Sequence, residues 1–417
     1  MTNSNHLCKP TVVLLTKPST YRALPFSEAA ERLGLHVLWG VDIPHEIATG
    51  RQFCLRVDFR DPDQAVQAIV RLKDQWQVKA VLALDDAGSL IAAEASDMLG
   101  LPHNSPSAAL AARDKHVMRQ RLKAAGVPCP GFVTYPLDAN PATIATKTRF
   151  PCVLKPQLLN GSRGVIRADT GPEFEAAWMR VKTIVENSVG CEILVEDYLP
   201  GPEVAVEAML VDGGMRLLAI FDKPDTPEGP FFEETIYVTP SRLPPDTQDM
   251  IQATTARGAH AIGLRFGPVH AELRINEQGV WPIEVAGRSI GGLCSQTLRF
   301  AGYTSLEDLI LSHATGLPIK DLKRERISRG VMMMPIPERG LLRGVSGLQK
   351  AEAEPGIDAI EISARINYPL VPLPEGDKYL GFIFASGEDP EEVAATLRRA
   401  HAHLQFDIEP EIRLEYS

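Results

Sequence analysis

Six cysteines are scattered through the 417 residues, and no two of them form a C-x-x-C pair. That absence removes the common signature of a zinc site or a dithiol redox motif, and isolated thiols suit a reducing compartment better than a disulfide framework. No apolar run approaches the roughly 18 residues that a membrane span needs. The amino-terminal MTNSNHLCKPTVVLLTKP carries too short an apolar stretch for a signal peptide, so a cytoplasmic protein is expected. Positive charge is also in short supply. A formal charge of −10 argues against a general nucleic-acid or anionic-membrane surface, although a local basic pocket for a phosphorylated ligand stays compatible with it. No G-x-G-x-x-G follows the first strand-like run, which removes the dinucleotide fingerprint and with it a dinucleotide-dependent oxidoreductase. No serine or cysteine stands in a recognisable nucleophile triad.

What is present is a normal globular balance, 44% apolar and 23% charged, in a chain long enough for about two to four domains. In the first hundred residues TVVLLT (11–16), HVLWGV (36–41) and KAVLALD (79–85) read as strands. They alternate with helical patterns at FSEAAERLG (26–34), DPDQAVQAIVRLKDQW (61–76) and AGSLIAAEASDMLGLP (87–102), which predicts a parallel sheet with flanking helices. The stretch 107–130 reads as helices and FPCVLKPQ (150–157) as a strand, with hairpins at DGG (212–214) and NEQG (276–279). Beyond 321, GVMMMPIP and YLGFIFASG read as strands and DPEEVAATLRRAHAHL as a helix. Asp389 would cap that helix, with Pro390 in its first turn and Glu392 completing a capping-box-like pattern. The methionine run 332–334 reads as strand interior, with pocket wall as the alternative.

The chemistry concentrates in HAELRINEQGVWPIEVAGR (270–288). Two strands joined by a three-residue loop, with Gly279 in the left-handed position, set Glu272 directly across from Glu284 and place Arg288 farther along the same face. Pro282 removes one ladder bond from that register. Adjacent carboxylates repel unless a cation is supplied, and a hard divalent ion such as Mg²⁺ satisfies both. Read alone, the same stretch also fits a solvated hairpin face. Upstream, Lys155 closes an apolar strand, which calls for an anionic partner, and Lys115 sits on a helix. The turn at 160–164, Asn-Gly-Ser-Arg-Gly, can bend its amides around phosphate oxygens. In ILVEDYLPGPEVAVEAML, Glu196 ends one strand and Glu203 follows a Pro-Gly-Pro corner.

Helix lysine, strand lysine, glycine turn, VEDYLPGPEVAVEAML and then the Glu272–Glu284–Arg288 hairpin form an order that resembles the ATP-grasp superfamily over roughly residues 1 to 400. The resemblance implies an α/β plus α+β architecture. Its parts would be a Rossmann-like parallel-sheet domain (1–107), small (108–200) and large (201–320) nucleotide-binding lobes, and a carboxy-terminal α+β domain (321–417). It implies ATP with its phosphates on Lys115 and Lys155, covered by the loop containing Gly161, Ser162 and Gly164. Glu196 and the Tyr198–Leu199 backbone would face adenine, Glu203 the ribose, and Glu272 with Glu284 would hold Mg²⁺, or Mn²⁺ in its place. Many members carry E-x-N at the second metal position, where this chain has Glu284-Val285-Ala286.

The E-x-x-x-R pattern and PFFEETIYVTPSRLP (230–244) are most similar to the L-amino-acid ligases. Those enzymes join a small-molecule carboxylate to an amine through an acyl phosphate. The likeness makes Arg288, Glu234 and Lys155 the catalytic candidates, and Glu234, Tyr237, Arg288, Gly291 and Gly292 the substrate wall. In those relatives a histidine stands where Tyr237 is. Homodimers are common among them. A biotin-carboxylase-like or purine-pathway enzyme and a non-catalytic nucleotide-binding module are the alternatives.

Overall fold

The computed structural model describes residues 9–18, 20–42, 54–188, 190–301, 305–319 and 322–410; Cys8 and position 321, where a carboxy-terminal unit was expected to begin, lie outside them. The first unit is a four-stranded parallel sheet in the order Cys54–Arg56, His36–Val41, Pro10–Thr16, Gln77–Ala83. Its central strand is an unbroken apolar run because both faces are covered. Val12 and Leu14 pack on Phe26, Ala29 and Ala30 of the helix Ala23–Arg32, and Val13 and Leu15 on Val66 and Ile69 of the helix Pro62–Val70. The edge strand Cys54–Arg56 was not foreseen, since three residues are too few to show a periodicity.

A second sheet is antiparallel, in the order Phe132–Pro136, Glu192–Asp197, Cys152–Pro156, Ile166–Ala168. The helix Gly171–Glu186 seals one face through Phe174, Trp178 and Val181 against Cys152, Leu154, Ile193 and Val195. Side chains alternate along a strand, so Lys155 and Glu196 point to the opposite face.

The third sheet has eight strands: Gly279–Ala286, Gly267–Asn276, Glu203–Val211, Gly214–Asp222, Ile236–Thr239, Ser328–Met334, Gly381–Gly387 and Ile357–Ile362. The strands expected of a separate carboxy-terminal unit therefore extend the sheet that carries the acidic hairpin, joined where Ile236 pairs with Met332. All three methionines of that strand are buried, and Met333 also reaches the cavity described below.

Asp389 caps the helix Pro390–His403 by accepting from the Glu391 amide, but Glu392 does not close a capping box; it pairs with Arg399 at 3.0 Å. The acidic hairpin closes differently from expectation. Asn276 pairs with Gly279, so the loop is the two residues Glu277 and Gln278. Glu272 still faces Glu284, because a bulge at Ile283 inserts one residue beside Pro282 and restores the register. A proline with no donor is tolerated there because the strand lies at the sheet edge and is already bulged.

Candidate active site

A cavity of about 290 Å³ opens where the parallel sheet, the small antiparallel sheet and the hairpin face of the large sheet converge. Every residue expected to bind nucleotide, metal or substrate borders it except Gly164. Gly164, at φ 75°, packs on Pro156, where an added Cβ would come within 2.7 Å of the ring. It is closely packed within the turn.

Glu272 and Glu284 face one another on the cavity side of the hairpin. Their supports differ. Glu272 is braced by His270 Nε2 at 3.5 Å, Lys223 Nζ at 3.4 Å and the Tyr237 hydroxyl at 3.5 Å. Burial alone would raise its pKa, but Lys223 and His270 outweigh that and hold it at about 2. Among the described residues Glu284 has only Arg288, at 3.9 Å. Two opposed carboxylates bordering a cavity are an oxygen donor set that Mg²⁺ takes, so these residues fit the ion that the sequence implied.

A different trio, Glu203, Glu234 and Glu272, brings carboxylate oxygens within 4.8 Å of one another. Lys223 already fills its centre, with Nζ 2.7 Å from Glu203, 2.8 Å from Glu234 and 3.4 Å from Glu272. A metal there would have to expel a buried ammonium whose pKa these acids raise despite its burial. We therefore read the trio as an ion-pair network. Tyr237 stacks beneath Lys223, with the ammonium 4.8 Å from its ring centroid, and donates to Glu234 at 2.7 Å. Positions 234 and 237 are thus in direct contact through the phenol.

On the small-sheet wall, Glu196 is gripped by Arg119 at 2.7 Å and Lys155 at 2.6 Å. Burial favours its neutral form, but the two cations outweigh this and hold its pKa at about 2. Glu203 gives one oxygen to Lys223 and the other to Arg274 at 2.8 Å. Arg274 also reaches the Leu199 carbonyl at 2.8 Å and the Tyr198 hydroxyl at 3.2 Å. Both expected nucleotide-facing acids are therefore held in place by buried cations.

The glycine turn is docked rather than free. Lys115 Nζ donates to the Leu159 carbonyl, the Gly164 amide to Pro374 O at 2.8 Å, and Asn160 to Asp86 at 2.8 Å. Gly161 and Ser162 both take positive φ, 59° and 54°, which bends the turn toward the cavity. Asp86 also accepts from Arg288 Nε at 2.8 Å; the arginine outweighs burial and holds this acid at about 2. Gly291 leaves open space where a side chain would be, while Gly292 sits against Phe382.

Sequence reasoning missed Lys223, Arg119, Arg274, His270, Glu207 and Asp86. His270, Glu272 and Arg274 alternate on one strand face, which was a readable signal. The others announce themselves only through partners far away in sequence. Glu207 and His270 form a buried pair at 2.7 Å behind Glu272.

Against known proteins, residues 27–103 match the ATP-grasp N-terminal domain, residues 148–297 the ATP-grasp domain, and residues 332–409 the L-amino acid ligase C-terminal domain 2. The chain thus carries ATP-grasp domains and has the ATP-grasp fold. Within that fold, the chain is similar to the L-amino-acid ligases. The crystal structure of L-amino acid ligase from Bacillus licheniformis superposes with a TM-score of 0.80 at 23% identity, covering 96% of this chain and 99% of that one. The uncharacterized protein y4rH of Sinorhizobium fredii is 25% identical over 92% of this chain and 80% of its own. Alanine–anticapsin ligase of Bacillus amyloliquefaciens is 26% identical over 59% of this chain; the match spans about half, 54%, of that relative. Among the described residues no helix is long and apolar enough to cross a membrane.

Proposed function

We propose that the chain is an ATP-dependent carboxylate–amine ligase that joins two amino acids or close analogues and releases ADP and phosphate. The observation that carries this reading is the opposed pair Glu272 and Glu284 with the Arg288 guanidinium beside it, at one end of a cavity whose other wall presents Lys115 and Lys155. The similarity to ligases supports it.

In this reading ATP lies with its phosphates toward Lys115, Lys155 and the turn 160–164, and its base and ribose toward Tyr198, Leu199, Glu196 and Glu203. Glu272 and Glu284 hold Mg²⁺, which when bound neutralises phosphate charge and polarises a phosphoryl oxygen. The γ-phosphoryl passes from ATP to a carboxylate oxygen of one substrate, and ADP leaves. The neutral amine of the other substrate attacks the acyl carbon, an amide bond forms, and phosphate departs with the surplus proton. Arg288, fixed by Asp86, offers its remaining N–H groups to the oxygens on which charge develops. Glu234 is an acceptor for a substrate ammonium, held ready by Lys223 and Tyr237. The docked glycine turn keeps water from the acyl phosphate.

The test is a screen of amino-acid pairs with ATP and magnesium, read by ADP release and by mass spectrometry of the product. At least one pair should give ADP and a mass equal to the two substrates less water. ADP release with none would refute the proposal.

A further inference from the structure

Arg22 was not anticipated, and its surroundings are unusual. It precedes the helix Ala23–Arg32, is 7% exposed, and borders both the main cavity and a second one of about 100 Å³ behind it. Its guanidinium donates to the Leu84 carbonyl and the Ser289 hydroxyl, and its Nε has no partner. Lys155, Lys223, Arg274 and Arg288 each have a carboxylate within ion-pair distance. Arg22 has none among the described residues; Glu307, Glu207 and Asp85 act on it only at longer range. Burial, with Arg288 close by, lowers its pKa from the ordinary value. A buried guanidinium without a counter-ion is costly, and this one is maintained in a cavity where Glu196, Glu203, Glu234 and Glu272 are each already paired with another cation. Lys115 is the other buried lysine or arginine of the cavity without a carboxylate, and the phosphates account for it.

The proposed ligase reaction brings two carboxylates into the site. One is phosphorylated beside Glu272, Glu284 and Arg288. The other, on the amine substrate, passes through unchanged and needs a cation of its own. We propose that Arg22 binds the carboxylate of the amine-side amino acid, so that this substrate must carry a free carboxylate; the assignment rests on the ligase reading above. Ser289 holds Arg22 through its side chain and accepts from Arg288 Nη1 through its carbonyl at 3.1 Å. One residue thereby fixes the spacing between the cation for the reacting group and the cation for the carboxylate that stays behind. A planar guanidinium suits that partner, since it meets a carboxylate with two parallel N–H bonds.

The experiment uses the full chain with ATP, magnesium and one amino acid as acyl donor. Amine substrates are compared as free acids and as the matching carboxamides, in wild type, Arg22→Gln and Arg22→Lys. ADP release with any pair of acids settles the ligase reading separately from Arg22. For the wild type the carboxamide should raise the KM of the amine substrate at least tenfold. In Arg22→Gln the acid should lose at least tenfold in KM while the carboxamide changes less than twofold, so discrimination collapses; the donor KM should hold. Arg22→Lys should recover part of it. Comparing the variants on one carboxamide removes the effect of its different amine basicity.

Equal use of acid and carboxamide by the wild type would overturn the proposal and requires no variant, and so would discrimination that survives in Arg22→Gln. If no pair releases ADP the ligase reading falls first. The Arg22 site is then read by thermal shift with alanine and alaninamide, and equal shifts from the two in the wild type would overturn it.

Discussion

Arg119 offers the sharpest test of how the cavity is assembled. It is 0% exposed, and its guanidinium spans three elements. It arises from the helix Lys115–Ala124, grips Glu196 at 2.7 and 3.3 Å, and donates to the Ile283 carbonyl at 2.6 Å. Ile283 is the bulge residue that sets Glu284 opposite Glu272, so one side chain ties the small-sheet wall to the acidic pair. Removing one partner of a buried ion pair costs about 3–5 kcal/mol. Lys155 stays on Glu196 at 2.6 Å, which places Arg119→Ala at the lower end, about 3 kcal/mol. The loss should appear in urea unfolding followed at Trp178, the fully buried indole of the small unit. Activity should suffer separately. Lys155 becomes the only counter-ion of Glu196 and is less available to phosphate, so KM for ATP rises; the bulge loses its anchor, so kcat falls. Arg119→Lys keeps the charge but not the fork, and should recover stability more than kcat. If Arg119→Ala unfolds within about 0.5 kcal/mol of wild type, below the range expected for a broken buried pair, the coupling argued here does not exist.

The two acids of the pair should respond unequally. Glu284→Gln is expected to abolish ADP release with Tm nearly unchanged, whereas Glu272→Gln should abolish it and cost roughly 1–3 kcal/mol, because Lys223 and His270 lose a partner; equal Tm values would contradict the asymmetry. Stability should also fall in acid. Glu196 titrates near 2 when folded against 4.5 unfolded, so its contribution is complete above about pH 4.5 and is lost as pH falls through about 2, on the order of 3 kcal/mol. Asp86, depressed to about 2 from 3.8, loses its share as pH falls from about 3.8 through about 2, and urea midpoints between pH 6 and pH 2 check the sign of both effects. Lys223→Met leaves three acids within 4.8 Å without their ammonium; it should destabilise the protein by about 3–5 kcal/mol without metal and gain a Tm response to magnesium in the absence of nucleotide. A metal-free variant as stable as wild type would mean that the trio carries less charge than its geometry implies.

The order of elements and the cross-strand pair were legible in the sequence because both are local. Alternation in HAELRI and VWPIEV fixes which residues share a face, and the polar residues at the pair stand out against apolar neighbours. The turn length was not legible. A three-residue loop and a two-residue loop followed by a bulge predict the same partner for Glu272, and only the position of Pro282 hinted at the second. Lys223 and Arg119 were missed for a physical reason. A buried cation is defined by its partners, and theirs lie 20 residues away at Glu203 and 77 away at Glu196. The continuity of the large sheet was equally hidden, because the strand after the acidic hairpin in sequence is not its neighbour in space; Ser328–Met334 enters beside Ile236–Thr239 instead.

The placement of cations then explains why one acid rather than another is left to work. Glu196, Glu203 and Asp86 each hold a lysine or arginine at 2.8 Å or closer. Those groups are fixed and unable to gather a second strong cation without losing the first. Glu234 shares Lys223 and borders the cavity, which suits a substrate ammonium better than a divalent ion. Glu272 is oriented from behind by His270, itself held by Glu207 at 2.7 Å, so its free oxygen is aimed before any ligand arrives. Glu284 alone stands 3.9 Å from the cation beside it, and that cation is already committed to Asp86. The two strands therefore bring the firmly braced Glu272 face to face with the weakly paired Glu284. An incoming divalent cation with a bound polyphosphate would complete that arrangement rather than compete with it.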